Sequence, residues 1–379
     1  MSFFNPVNIT NKRGARSVLL EVAKNREVLV ICSAQMLERI NSDKVLRGFI
    51  DQSNIKFEHG FDSNPSLTDM AEIAEKYSTD KVDLILGIGG GSAMDVAKIA
   101  SVTIPAMNKE IHLSELLDDA SLFTRFESID CIQFPTTAGT GSEVTPFATV
   151  WDYDHKRKKS LSHSSMFAKQ AIVDSEFLYN VPLDIALSTG LDALNQALES
   201  LWNKNANEIT RKLSVKSVVS SLNSLLYIDG LEAHPSVAND LATASLLAGM
   251  AISHTRTSIC HSISYPLTLL FGLPHGLACG FSMLEVYNFN VAHIKDDIVT
   301  IEQQLNGKKI LEIIDAIYEK YEFYQLVRHH IQYTDDVLEL LPQMVTPGRA
   351  DNNIRKFNQL ELENIVRNSC SRASLEPPK

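Results

Sequence analysis

The sequence predicts an α/β nucleotide-binding N-terminal domain followed by an all-α C-terminal domain, and three observations carry that expectation. Short β-branched runs alternate with helix-period segments through the first half, the pattern of parallel strands joined by crossover helices. Beyond about residue 182, long helix-period segments take over and convincing alternating strands are absent. At 379 residues the chain exceeds what one apolar core usually supports, so two domains are expected. The change of texture near Asn180 to Pro182 places them at residues 1–181 and 182–379.

In chain order, Val28 to Ile31 reads as a buried strand and Ile55 to Phe57 as a shorter one. A helix follows. Pro65 and Ser66 mark its start, and Met70, Ile73, Ala74 and Tyr77 recur at the spacing of one apolar face. Val82 to Leu86 reads as a third strand, ending in Gly87-Ile88-Gly89-Gly90-Gly91. In the second half Asp184 to Trp202, Ile209 to Leu226, Ser236 to His254 and Ile310 to Glu322 read as helices, punctuated by Pro182, Pro235 and Gly307. The last residues, Ala373 to Lys379, are expected to fray.

The formal charge of −11, from 46 acidic against 35 basic residues, argues against a general nucleic-acid or anionic-membrane binder. The dense basic run Lys156-Arg157-Lys158-Lys159 has two open readings, a solvated turn or a phosphate contact. Five scattered cysteines suggest neither a disulfide framework nor a Cys-x-x-Cys zinc site, which fits a reducing compartment. The N-terminus lacks a targeting pattern and no segment reaches the roughly 18 apolar residues of a membrane span. A soluble, unprocessed cytoplasmic protein is expected, with no nucleic-acid or membrane partner. The apolar Phe3-Phe4 segment hints at an edge strand shared in a homodimer.

Two loops invite a ligand. Gly89-Gly90-Gly91-Ser92 follows a strand and opens a helix at Ala93 to Ala100, so backbone amides at a helix N-terminus can face an anion. It is not the Gly-x-Gly-x-x-Gly fingerprint, and a phosphate cradle and a structural tight turn both stay open. Pro135 to Thr145 again follows a short apolar run, Cys131 to Phe134, with hydroxyls and glycines. A hydrogen-bonded surface loop is the other reading of this segment, but two such loops after two strands of one sheet point to a cofactor-sized site more strongly than either does alone.

In the helical half, Gly190 to Glu199 places Asp192 and Gln196 on one helix face. Further on, His261 lies in Cys260 to Pro266, and His275 sits in the Pro274-His275-Gly276 turn beside a helix start. One carboxylate and two imidazoles suit a divalent first-row metal in Lewis-acid chemistry. The other reading is a pair of hydrogen-bonded structural histidines.

Taken in this order, the Gly89 to Lys98 loop and helix, Pro135 to Thr145, Gly190 to Glu199, and His261 through His275 resemble the iron-containing (group III) alcohol dehydrogenase family. That architecture is shared more distantly with glycerol dehydrogenase and dehydroquinate synthase. The resemblance implies a nicotinamide-dependent alcohol dehydrogenase or aldehyde reductase. It implies that Asp192, His261 and His275 match three of four metal ligands, the two histidines also serving catalysis. At the fourth place the family's usual histidine is Gln196, whose neutral amide oxygen is a weaker donor. A site completed by water or by Gln196, holding Fe2+ or Zn2+, and a metal-free reductase both remain open. Where many relatives carry another histidine this chain has Tyr265, which supplies a proton, orients substrate or simply packs.

By the same resemblance Gly90, Gly91, Ser92, Thr136, Thr137, Thr140, Thr145 and Lys158 (or Lys159) contact the dinucleotide, with Asp95 near its nicotinamide end. Ser33 stands where many NAD-using relatives carry an aspartate, so the repulsion of a 2′-phosphate is lifted and NADPH is acceptable beside NADH. His254 and Arg256 bring basic groups upstream of His261, and Arg pairs with phosphonate, phosphate or carboxylate in a bidentate manner. Against this, ideal helix geometry puts Arg256 about 140° from His261, while His254 shares its face. Glu199 to Asn207, which includes the substrate candidate Asn203, and Ser262 to Thr268 resemble the branch that reduces phosphonoacetaldehyde to 2-hydroxyethylphosphonate. A generic alcohol dehydrogenase, a dehydroquinate synthase-like lyase and a non-catalytic nucleotide-binding homologue are the alternatives.

Overall fold

The protein is described by a computed structural model covering residues 3–376 apart from 51–53, 63, 154–156, 346–347 and the side chain of Arg157. Its contacts divide it into two units. An α/β unit takes Phe4–Thr137 and Gly141–Phe177, and a helical unit takes the chain from Leu178 onward, with Ala138–Thr140 and the residues up to Phe3.

The α/β unit contains strands β1 (Asn8–Asn11), β2 (Val28–Ile31), β3 (Ile55–Glu58), β4 (Leu84–Gly89), β5 (Asp130–Pro135), β6 (Phe147–Asp152), β7 (Arg157–Ser162) and β8 (Gln170–Val173). Its helices are α1 (Leu19–Val22), α2 (Ala34–Ser42), α3 (Lys44–Ile50), α4 (Leu67–Tyr77), α5 (Gly91–Met107) and α6 (Leu113–Asp118). Six strands form one parallel sheet in the order β1-β8-β5-β4-β2-β3, and β6 and β7 form a separate antiparallel pair. β2 and β4 are buried along their whole length, as strands covered on both faces must be. The period of two sorts their side chains: Leu29, Ile31 and Ile85 join Ile73, Val96 and Ile99 in one apolar cluster. Val28, Val30, Leu84 and Leu86 join Ile40 and Phe49 in the other.

α4 carries the expected signals. Ser66 caps it in a reciprocal box with Asp69, and Met70, Ile73, Ala74 and Tyr77 are its buried residues. The third strand differs from expectation, starting at Leu84 and running on through the glycines, because Gly87 and Gly89 still pair with Gln133 and Pro135 of β5. Gly87 has a packing reason. A Cβ there would stand 2.8 Å from the Ala97 Cβ, so its absence lets α5 lie close on the strand.

The helical unit contains α7 (Leu183–Leu201), α8 (Glu208–Leu225), α9 (Pro235–Thr255), α10 (Ile259–Phe271), α11 (His275–Asn290), α12 (Lys295–Gln304), α13 (Ile310–Lys320), α14 (Phe323–His330), α15 (Thr334–Leu338) and α16 (Gln359–Arg372). α13 stops short of Glu322, whose φ of 52° breaks the helix. No helix among the described residues is long and apolar enough to cross a membrane. All five cysteines are free and buried.

Three expectations are corrected. Phe3 and Phe4 form no strand; Phe4 meets Phe167 edge-on, and the edge strand of the sheet begins only at Asn8. Arg157 to Lys159 are strand rather than turn, because they pair with β6, while Lys156 lies outside the described residues. The C-terminal stretch is held as far as Glu376: Ala373 and Leu375 are buried, and Glu376 exchanges backbone hydrogen bonds with Gln332 and Thr334.

Candidate functional site

Asp192, Gln196 and Glu199 recur on α7 at intervals of four and three, so they line one helix face, and all three are buried. Glu199 organises the neighbouring helix. Its carboxylate accepts backbone N–H bonds from Ser258 at 2.8 Å, Cys260 at 2.6 Å and His261 at 3.2 Å, satisfying amides at the start of α10 that no N-cap side chain reaches. It also stands 2.7 Å from His261 Nδ1. On the other side of the ring, Nε2 lies 3.2 Å from Asp192 Oδ1. An imidazole between two carboxylates needs a positive charge. With Nδ1–H donated to Glu199, the lone pair of Nε2 and the Asp192 oxygen face each other across a gap that only a proton or a cation makes favourable.

The remaining donors come from α11. His275 is its first residue, and the turn is set by Gly276, where a Cβ would lie 1.6 Å from the Ser188 carbonyl oxygen of α7. Cys279 follows four residues later, its Sγ 3.9 Å from His275 Nε2. One ligand atom from each of Asp192, His261, His275 and Cys279 lies within 4.8 Å of the others. Gln196 Oε1 is buried and has no hydrogen-bond partner. This donor set and its orphaned acceptor fit a divalent metal. As proton binders the groups respond to their burial: desolvation pushes the His261 imidazole down, but the combined pull of Cys279, Glu199 and Asp192 holds it well above its usual range. Burial pushes the Cys279 thiol up. Tyr265 stacks on His275 at 6.1 Å between ring centroids.

The expected substrate residues are placed differently from the helix arithmetic. α9 ends at Thr255 and α10 starts at Ile259, so Arg256 lies between helices with a positive φ of 63°. Angles counted around a continuous helix therefore do not apply. Burial, and then the charge of Arg349, lower the Arg256 guanidinium to about 10. His254 is stacked on Phe3 and bonded to the Met250 carbonyl of its own helix. Asn203 is buried: its amide donates to the Arg256 carbonyl and its oxygen accepts from Asn205 N–H, which ties it to the Arg256 segment.

In the α/β unit, Ser33, Gly90 and Thr136 follow the carboxyl ends of β2, β4 and β5, which are adjacent in the sheet; ligands of open parallel sheets bind at that edge. Gly90 is the N-cap of α5, with Gly91 and Ser92 its first residues. Thr137 borders Gly90, its Oγ1 3.3 Å from where a Cβ would stand. Ser33 caps α2 by accepting from Met36 N–H. Two expected contacts are turned inward. Asp95 accepts from the Ser142 hydroxyl and from Thr149 N–H, and Thr145, 1% exposed, bonds the buried Lys98 ammonium. Lys158 lies 5.5 Å over the Trp151 ring, and Thr140 falls in the stretch that groups with the helical unit.

Glu199 and Cys279 were not singled out from the sequence. Both had a signal: Glu199 sits seven residues after Asp192, and Cys279 four after His275, each the spacing of a shared helix face.

Two family models match in tandem, "Iron-containing alcohol dehydrogenase" over residues 6–175 and "Fe-containing alcohol dehydrogenase family, C-terminal" over residues 186–367. The chain belongs to the iron-containing alcohol dehydrogenase family. It is 31% identical over 245 residues to the probable alcohol dehydrogenase EutG of Escherichia coli, covering 65% of this chain and 61% of that one. It is 34% identical over 251 residues to the phosphonoacetaldehyde reductase of Streptomyces viridochromogenes, covering 65% and 63%. With the sulfoacetaldehyde reductase of Bilophila wadsworthia the identity is 32% over 248 residues, covering 64% and 62%. The matches thus span less than two thirds of these relatives' own length. A crystal structure of an iron-containing alcohol dehydrogenase shares the fold, with a TM-score of 0.82 at 23% identity over 98% of this chain and 99% of that one.

Proposed function

We propose that this protein is a metal-dependent, NAD(P)H-linked reductase that converts an anionic aldehyde, phosphonoacetaldehyde being the leading candidate, to a primary alcohol. The observation that carries the reading is His261 held between Glu199 and Asp192, with His275 beside it. When bound, a divalent metal supplies Lewis acidity toward a carbonyl oxygen and reduced nicotinamide supplies hydride.

The chain's own residues do the rest. Asp192, His261 and His275 hold the metal, and Glu199 keeps the Nδ1 proton so that Nε2 stays a donor. Gly91 and Ser92 amides take a cofactor phosphate, with the Thr137 hydroxyl alongside. Ser33, lacking a carboxylate, leaves a 2′-phosphate unopposed. Tyr265, stacked on His275, would supply the proton that turns the carbonyl oxygen into the product hydroxyl, directly or through water.

Anionic substrates are supported by two relatives whose names specify phosphonoacetaldehyde and sulfoacetaldehyde. Arg256 supports them too, since an anion shared with Arg349 relieves the repulsion between the two cations. An uncharged aldehyde is the second reading, favoured by a cavity of about 380 Å³ whose lining includes Ile185, Pro274, Leu277 and Leu326. Following NADPH and NADH oxidation over charged and uncharged aldehydes separates them. Arg256→Gln is expected to raise KM for the anionic aldehydes roughly 10- to 100-fold and to leave uncharged ones near the parent value. No cofactor oxidation by metal-loaded protein on any aldehyde would sink the reductase reading.

A further inference from the structure

We propose that Cys279, and not Gln196, supplies the fourth donor of the metal centre, giving an aspartate–histidine–histidine–cysteine set that favours zinc over ferrous iron. The inference rests on the metal-dependent reading above. Helix geometry brings the donors together: four residues along α11 put the Cys279 thiol on the face of the His275 imidazole, 3.9 Å from Nε2. The Cys279 turn is fixed against α7, because Asn195 donates to the Cys279 carbonyl at 3.2 Å from a position three residues beyond Asp192. Its sulfur joins the three other ligand atoms within 4.8 Å.

Chemistry favours the thiolate over the amide. A neutral amide oxygen is a weak donor to a borderline-soft ion, whereas a thiolate binds zinc well and adds a second negative charge beside Asp192. The site therefore recovers through sulfur the donor it lacks at Gln196. The buried Gln196 oxygen, without a partner in the protein, is left to accept from a water or the product hydroxyl.

Cobalt(II) reads the ligand directly, because thiolate bound to it gives an intense near-ultraviolet charge-transfer band that nitrogen and oxygen donors do not. The full chain, stripped by chelator and reloaded with cobalt, is expected to show this band, as are Gln196→Ala and Cys260→Ser. Cys279→Ser is expected to bind cobalt without the band and to lose zinc affinity by more than the roughly 10- to 100-fold typical of an outer-shell partner. Its zinc-over-iron preference, from competition with the two ions, should fall with it. A cobalt-loaded parent without the band overturns the proposal while leaving a metal centre in place. Persistence of the band in Cys279→Ser, or an unchanged zinc-over-iron ratio there, also overturns it. Failure of the folded parent to bind any cobalt overturns the metal reading itself. Should Cys279→Ser not fold, as judged by circular dichroism, Cys260→Ser decides, since loss of its band would assign the sulfur to Cys260.

Discussion

Glu143 shows how one residue's surroundings reset its chemistry. It sits 2% exposed on the turn after Gly141, and burial, only partly offset by its own backbone hydrogen bond and the charge of Lys98, raises its carboxyl from 4.5 to about 7. Lys98 is equally enclosed. Its ammonium donates to the carbonyls of Ser142 and Phe147 and the hydroxyl of Thr145, and burial lowers its pKa. Between pH 4.5 and 7 the folded chain holds a proton on Glu143 that the unfolded chain has released, so this residue makes stability fall as pH rises through that window and adds no further slope above it. Glu143→Gln should remove that slope and stabilise the protein at pH 8 by up to about 3 kcal/mol. Urea titrations at several pH values test this; parallel stability curves for parent and variant would refute it.

At the level of elements, α11 depends on a position with no side chain. The Ser188 oxygen would stand 1.6 Å from a Cβ on Gly276, and backbone meeting backbone cannot be relieved by a rotamer change. Gly276→Ala should therefore cost more than the about 1–3 kcal/mol of ordinary overpacking, and should displace His275 enough to lower metal content. Melting and metal analysis check both, and a variant with unchanged Tm and metal would contradict the packing argument. Element legibility followed burial. α4 was readable because its apolar face and its Ser66 box agree. β1 and β7 were not, since NITN and RKKSLS carry no apolar alternation: β1 is an edge strand, and β7 pairs only within the hairpin.

For the molecule as a whole, the candidate metal donors are drawn from three helices, Asp192 from α7, His261 from α10, and His275 with Cys279 from α11. A metal bound to the folded state alone stabilises it by about 2.7 kcal/mol at a hundredfold excess over Kd, roughly 5–10 °C for a unit of this size. The two tryptophans allow that to be read locally, because Trp202 lies in the helical unit and Trp151 in the α/β unit. In Trp151→Phe, chelation should lower the Trp202 fluorescence transition by that amount. An unchanged transition would mean that the cluster holds no metal in solution.

The sequence by itself determined the α/β-then-helical fold class and the family, because apolar periodicity and glycine or histidine motifs are local, and local spacing survives in one dimension. It also singled out Asp192, His261 and His275, which the structure gathers into one cluster. Tertiary structure alone decided what surrounds them. Glu199 reaches across 62 residues to hold His261, the Cys279 thiol lies in one cluster with Asp192, His261 and His275, and the break after Thr255 sets Arg256 off any helix face. These depend on which helices meet and where one ends, and burial, which reset Glu143 and Arg256, exists only once the chain has packed.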